Sequence, residues 1–195
     1  LCPIFLTLSP IDAIILVMSY IADHLKARFF DVERYRHVAL TEDAATLPLW
    51  NMSGQMVGYQ CYSPKLPKIH VDDPRQSKYY TWVTKPCASN TAELAVWGLE
   101  TVTWASPLVF LTEGVFDACR LHHHNLPALA VLGCNPQHLA GWLKTLPSFK
   151  VACVQGDAAG QKLAAFGNAV VMLPAGKDVG DLTEAEFEEL FRKYL

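Results

Sequence analysis

From Leu108 to the end of the chain, short continuous apolar runs alternate with stretches of helical period. Leu108 to Leu111, Ala128 to Leu132, Val151 to Val154 and Ala169 to Leu173 have the length and composition of buried strands. Between and after them, Val115 to His124, Pro136 to Leu146, Ala158 to Phe166 and Thr183 to Tyr194 read as helices. Fully apolar strands alternating with helices predict an α/β fold whose mostly parallel sheet is covered on both faces. In such folds the site is expected beyond the carboxyl ends of the strands.

The first half has a different pattern. Ser9-Pro10 followed by Ile11 to Phe30 reads as a helix, with Ser9 as N-cap and Pro10 at the first helical position. Apolar stretches flank Asn51 to Gln55 within Pro48 to Tyr62, which predicts a β-hairpin with Gly54 supplying a positive φ in the turn. Ser63 to Ser89 turns to Pro, Lys, Arg, Asp and Tyr and reads as a basic, aromatic loop. Two domains follow from these shifts. Residues 1–100 form a small α+β N-terminal subdomain with a hairpin and a basic loop, and residues 101–195 form the α/β domain.

Composition narrows the class of partner. Across 195 residues, 51% are hydrophobic, 18% are charged and the net charge is -3, which describes a globular chain and not a wholly basic nucleic-acid binder. Any electrostatic attraction for phosphate must therefore be local. The apolar start is broken by Pro3, Pro10 and Asp12 and lacks a basic leader region, so we expect neither a signal peptide nor a membrane span. Leu1 is not an initiator methionine, which suits a trimmed chain or a fragment of a larger protein. The six cysteines include no C-x-x-C pair, so reduced thiols, a cytoplasmic location and no zinc site within this chain are expected.

The chemistry lies at the strand ends. Glu113 follows the first apolar run, Asp157 the third, and Asp178 with Asp181 the fourth, each near a glycine. Carboxylates gathered from several strand ends suit Mg²⁺, which keeps several waters and takes few protein ligands beside substrate phosphates. Taken singly, each acid reads more readily as a helix cap or a solvated loop residue, and Asp117 and Asp181 fit that reading well. Lys65, Lys68, Arg75, Lys78 and Lys85, interleaved with Tyr79, Tyr80 and Trp82, offer phosphate contacts and stacking faces. Lys177 and Lys162 are weaker candidates of the same kind. Adjacent His122, His123 and His124 point in different directions on a helix and cannot converge on an ion; they are assigned to the helix end, where imidazolium suits the dipole.

Leu111-Thr112-Glu113-Gly114-Val115-Phe116-Asp117-Ala118 resembles the E-G-x-x-D-A block that opens a Toprim domain, and Val154-Gln155-Gly156-Asp157-Ala158-Ala159-Gly160 resembles its D-x-D-x-A-G block. Pro174 to Leu182 is similar to the P-x-G-K-D-x-x-D-L segment of bacterial and phage primases. Upstream, the hairpin Pro48 to Tyr62, Ser77-Lys78-Tyr79-Tyr80 and Ala95-Val96-Trp97-Gly98-Leu99 resemble primase segments, so the likeness covers most of the chain after about Leu47.

The resemblance implies a Toprim fold and a DNA primase core, a nucleotidyltransferase that makes short RNA primers on single-stranded DNA from ribonucleoside triphosphates. It implies Glu113 and Asp157 as catalytic groups; Glu113, Asp157, Asp178 and Asp181 as ligands of Mg²⁺ or Mn²⁺; and Lys65, Lys68, Arg75, Lys78, Tyr79 and Lys177 at nucleotide or DNA. A replicative helicase or a separate zinc-binding module is the implied protein partner, and the host cytoplasm the location if the chain is phage-encoded. Gln155 departs from the pattern, standing where the family has an aspartate. That leaves two alternatives beside an active primase: a catalytically weakened nucleic-acid-binding Toprim protein, or a metal-dependent Toprim nuclease.

Overall fold

Two four-stranded sheets organise the chain, of which the computed structural model describes residues 20–85, 94–103, 105–133 and 135–195. The first sheet is antiparallel, with β1 (Ala39–Leu40), β2 (Ala45–Trp50), β3 (Met56–Tyr62) and β4 (Tyr79–Val83) in the order β1-β2-β3-β4. The hairpin predicted over Pro48 to Tyr62 is β2 and β3. Its turn is fixed by Asn51, whose Oδ1 accepts from the backbone N–H groups of Ser53 and Gln55, with Gly54 at φ +71°. The region read as loop from Ser63 to Ser89 contains β4, which pairs Tyr79 to Val83 with Tyr62 to Gly58. This edge strand escaped the sequence reading because its exposed positions and Pro-rich flanks hide the apolar alternation.

The helix expected over Ile11 to Phe30 is described from residue 20 and runs as α1 through residues 20–26; its start, with Ser9 and Pro10, lies outside the described residues. It stops before the predicted end because Phe29 takes a left-handed φ of 61° and the Phe30 N–H turns back to the Leu25 carbonyl, a Schellman-type close. Ile21 and Leu25 are fully buried.

The second sheet is parallel throughout, formed by β5 (Leu108–Thr112), β6 (Ala128–Ala130), β7 (Phe149–Val154) and β8 (Ala169–Met172) in the order β6-β5-β7-β8. Strand alternation sends Phe110, Val151 and Cys153 to one face, where they pack with α2 (Val115–His123) and α5 (Glu184–Phe191). Val109, Leu111, Ala152 and Val154 go to the other, against Trp142 and Leu143 of α3 (Ala140–Thr145) and Leu163 of α4 (Ala158–Ala164). Burial on both faces explains why these strands read as unbroken apolar runs. The predicted helix from Pro136 to Leu146 opens as a 3-10 turn at Pro136–Leu139 before α3 begins.

Val96 and Trp97 stitch the sheets together. Val96 exchanges backbone hydrogen bonds with Trp50 of the first sheet, and Trp97 does so with Ala130 of the second. Gly98 follows at φ +88°, and a Cβ there would stand 2.7 Å from the Ala128 carbonyl oxygen, so only glycine lets the chain turn this close to β6. Phe30, Tyr35, Tyr62, Trp97 and Phe116 then fill the space between the sheets as one aromatic cluster. Among the described residues no helix is long and apolar enough to cross a membrane.

Candidate active site

The strand order places the chemistry. Chain direction runs from β5 outward to β6 and then back across to β7, so the neighbours β5 and β7 flank a topological switch point, where open α/β sheets form their ligand crevice. Glu113 leaves the end of β5, while Gln155 and Asp157 leave the end of β7; Asp178 comes from the loop after β8. Glu113, Asp117, Gln155, Asp157 and Asp178 line one cavity of ≈ 80 Å³ there. That is room for an ion and a few waters but not for a nucleotide, which must approach from the open side.

The acids do not share one role. Glu113 receives no hydrogen bond from any described residue, and its proton affinity is raised by partial desolvation and then by the charges of Asp178 and Asp157, with Lys68 opposing. Asp157 caps α4, its Oδ1 accepting from the Gly160 N–H at 2.7 Å. Gly160 is required there because a Cβ would lie 2.1 Å from the Gln155 carbonyl oxygen. Asp178 Oδ1 accepts from the Gln155 amide, Nε2, at 2.9 Å. Asp181 turns its Oδ2 to the Asp178 N–H and is absent from the cavity lining, as a 3-10 cap and not as a member of the cluster.

Asp117 does more than the cap or solvated acid read from the sequence. One of its carboxylate oxygens accepts from Gly114 N–H and the other from Gly180 N–H, tying the β5–α2 turn to the loop after β8. Desolvation outweighs those bonds and lifts its pKa to about 7.

Cations line the approach unevenly. Lys78 Nζ lies 5.9 Å from the Tyr62 ring centre and 5.8 Å from that of Tyr79. Beside these rings the Arg28 guanidinium sits 4.1 Å over Phe116, one residue from Asp117, with no carboxylate within salt-bridge distance among the described residues. Sequence reasoning missed Arg28, because nothing local shows that the end of α1 packs on Phe116. Lys68 is near enough to act on Glu113. Lys65 is paired with Asp43 on the surface, and Lys177 is held by Glu186 at 2.6 Å. Arg75 belongs to the short turn Pro74–Gln76 capped by Asp73, and Lys162 to α4.

The histidine run also differs from expectation. His122 is fully buried, with Nε2 3.0 Å from the Ala128 carbonyl oxygen, to which it donates, and Nδ1 accepting from the Tyr35 hydroxyl at 2.8 Å. Burial pushes its pKa down to about 4, so it is a neutral structural group and not an imidazolium at a helix end.

Among the described residues no three His, Cys, Asp or Glu side chains are arranged to hold a metal ion by themselves. What the cavity offers instead is hard, anionic oxygen: both Glu113 oxygens and the second oxygens of Asp157 and Asp178 lack hydrogen-bond donors among those residues. Such a donor set is chemically suited to a hydrated divalent cation that takes one or two protein carboxylates.

No protein-family model matches the sequence, and no curated protein matches it either. Solved structures match its fold. The Escherichia coli primase catalytic core aligns at a TM-score of 0.56 and 18% identity, covering 88% of this chain and 59% of its own. A DnaG primase catalytic domain bound to single-stranded DNA aligns at 0.56 and 18%, covering 95% and 58%. The primase fragment of the bacteriophage T7 primase-helicase protein aligns at 0.54 and 14%, covering 77% and 62%. The chain therefore spans about three-fifths of the length of these structures, and it has the α/β fold of a Toprim-containing primase core.

Proposed function

Starting from that fold, we propose that this chain is the nucleotidyltransferase core of a DNA primase, joining ribonucleoside triphosphates into short primers on single-stranded DNA. The observation that carries the reading is the meeting of Glu113, Asp157 and Asp178 around one cavity at the β5–β7 switch point. A divalent ion, Mg²⁺ or Mn²⁺, held there would align the attacking oxygen and offset charge on the transferring phosphate. Glu113, with its raised proton affinity and free carboxylate, is the group suited to take the proton of the attacking hydroxyl. Asp157, fixed by its bond to the Gly160 N–H at the start of α4, would hold the ion together with Glu113, with Asp178 beside them.

Arg28 and Lys78 meet the triphosphate or template phosphates, while Tyr79 contributes a ring to the same wall. Lys68 adds positive field at the cavity. Lys177 is a structural cation in this reading, because Glu186 already neutralises it. By likeness to the matched structures, single-stranded DNA is the template and a helicase the protein partner.

The test is ribonucleotide incorporation on a single-stranded template with Mg²⁺ or Mn²⁺, beside incubation of labelled DNA without nucleotides. Oligoribonucleotides that need both template and metal support the reading. Degradation of the DNA with no synthesis assigns the site to a nuclease, and neither reaction from a folded chain leaves a binding protein.

A further inference from the structure

Gln155 occupies the position from which its amide can compete with a cation. Its Nε2 donates to Asp178 Oδ1 at 2.9 Å, so an N–H group sits against the oxygen that a metal ion would otherwise meet. Gln155 and Asp178 line the same cavity, as do Glu113 and Asp157. Asp157 has one oxygen committed to the Gly160 N–H. Of the three carboxylates only Glu113 is wholly free, and no three groups among the described residues are arranged to hold an ion. An aspartate at 155 would add a further negative charge beside Asp178 and repel it; the amide adds no charge and satisfies part of its neighbour instead.

We infer that Gln155 is a latch on the metal site: its amide holds Asp178 in the metal-free protein, so a divalent ion binds weakly alone and tightly only together with a nucleotide's phosphate oxygens. The inference rests on the proposed reading of this cavity as a divalent-ion site. It goes beyond that reading in making Gln155 a positioning residue that sets the order of loading. Protein carboxylates supply one or two ligands to Mg²⁺ while phosphates and waters supply the rest. When the triphosphate brings its own oxygens, Glu113 and Asp157 suffice and the Gln155–Asp178 bond is no longer an obstacle. Without it, the ion must displace the amide first.

Two substitutions separate the latch from a simple missing ligand. Gln155→Asp adds a charged oxygen; Gln155→Met keeps the length but removes the N–H donor without adding a ligand. Mn²⁺ is titrated alone into the full chain and the free aquo ion is counted by electron paramagnetic resonance, a readout that requires no catalysis. We expect Gln155→Asp to bind Mn²⁺ at least tenfold tighter than the wild type. Gln155→Met should bind it about threefold tighter, because Asp178 is released, and Glu113→Ala in the Gln155→Asp background should abolish the gain. Adding a non-hydrolysable ribonucleoside triphosphate should tighten Mn²⁺ binding most in the wild type, after correction for Mn²⁺ held by free nucleotide.

Gln155→Met binding no tighter than wild type overturns the latch and leaves Gln155 merely an absent ligand. If Gln155→Asp also shows no gain, or the gain survives Glu113→Ala, the cavity is not the ion site and the functional reading fails with it. If the affinities follow the expected order but no primer is made, the latch stands and the primase reading alone is lost.

Discussion

The Tyr35 hydroxyl donates to His122 Nδ1 at 2.8 Å, and this bond ties the segment after α1 to α2. Trp97 stacks on the same imidazole at 5.5 Å between centroids, and Arg34 donates to the His122 carbonyl. The neutral imidazole accepts from Tyr35 at Nδ1 and donates from Nε2 to the Ala128 carbonyl.

Acid should act on this fold through two opposed groups. His122 has its pKa lowered from 6.5 to about 4, so the unfolded chain binds the extra proton first and stability is lost as pH falls from 6.5 towards 4. Asp117 has its pKa raised from 3.8 to about 7, so its folded form binds a proton first and its contribution is lost as pH rises from 3.8 towards 7. A tenfold change in proton affinity is worth ~1.4 kcal/mol, so each effect reaches a few kcal/mol at most, and the two largely cancel. Urea denaturation between pH 4.5 and 7.5 in EDTA should therefore show a shallow profile for the wild type. Asp117→Asn should expose a steep acid loss, and His122→Gln a gain on acidification.

Arg28 and Lys78 should matter to phosphate binding where Lys177 does not. Arg28→Ala and Lys78→Ala should each weaken single-stranded DNA binding roughly tenfold and lower the salt slope by about one counterion. Lys177→Ala should leave both within about twofold, because its charge is committed to Glu186. Fluorescence anisotropy at several salt concentrations checks all three.

Arg120 is buried over Phe29 at 4.0 Å and reaches Glu184 Oε2 at 2.5 Å, so it joins the turn after α1 to α2 and α5. Arg120→Ala should cost ~3 kcal/mol, through lost packing as well as charge. Glu184→Gln should cost ~1–2 kcal/mol, because the buried Arg120 loses its counter-ion while the amide oxygen can still accept its hydrogen bond. Thermal melts of the two variants give the comparison.

Gly160→Ala should disturb the site from a distance of one turn. Its Cβ would stand 2.1 Å from the Gln155 carbonyl oxygen, a backbone atom that cannot step aside without moving Gln155 and Asp157. We expect a loss of ~2 kcal/mol or more in stability together with loss of ribonucleotide incorporation. Melting temperature and incorporation should fall together.

The parallel sheet was legible because its strands are buried on both faces and so appear as unbroken apolar runs, three of the four followed by an acid. Glu113 and Asp157 could be placed at strand ends on that basis alone. The order β6-β5-β7-β8 could not, since hydropathy carries no information on which strands are neighbours; the switch point between β5 and β7 emerges only from the pairing. β4 was hidden by its edge position. Tertiary packing likewise concealed the burial of His122, the stacking of Arg28 on Phe116 and the contact between Gln155 and Asp178, all of which join residues far apart in sequence. Asp181 looked like Asp178 in sequence, and only the capping geometry separates them.

The measurement that bears most directly on the proposed chemistry is a paired assay of Asp157→Asn, scoring primer yield and single-stranded DNA affinity on one preparation. Asparagine keeps an oxygen to accept from the Gly160 N–H, so the α4 cap survives while the ligand charge is lost. Primer synthesis should fall at least a hundredfold while DNA affinity stays within about twofold of the wild type. A yield unchanged by the substitution would contradict metal-dependent transfer at this cavity.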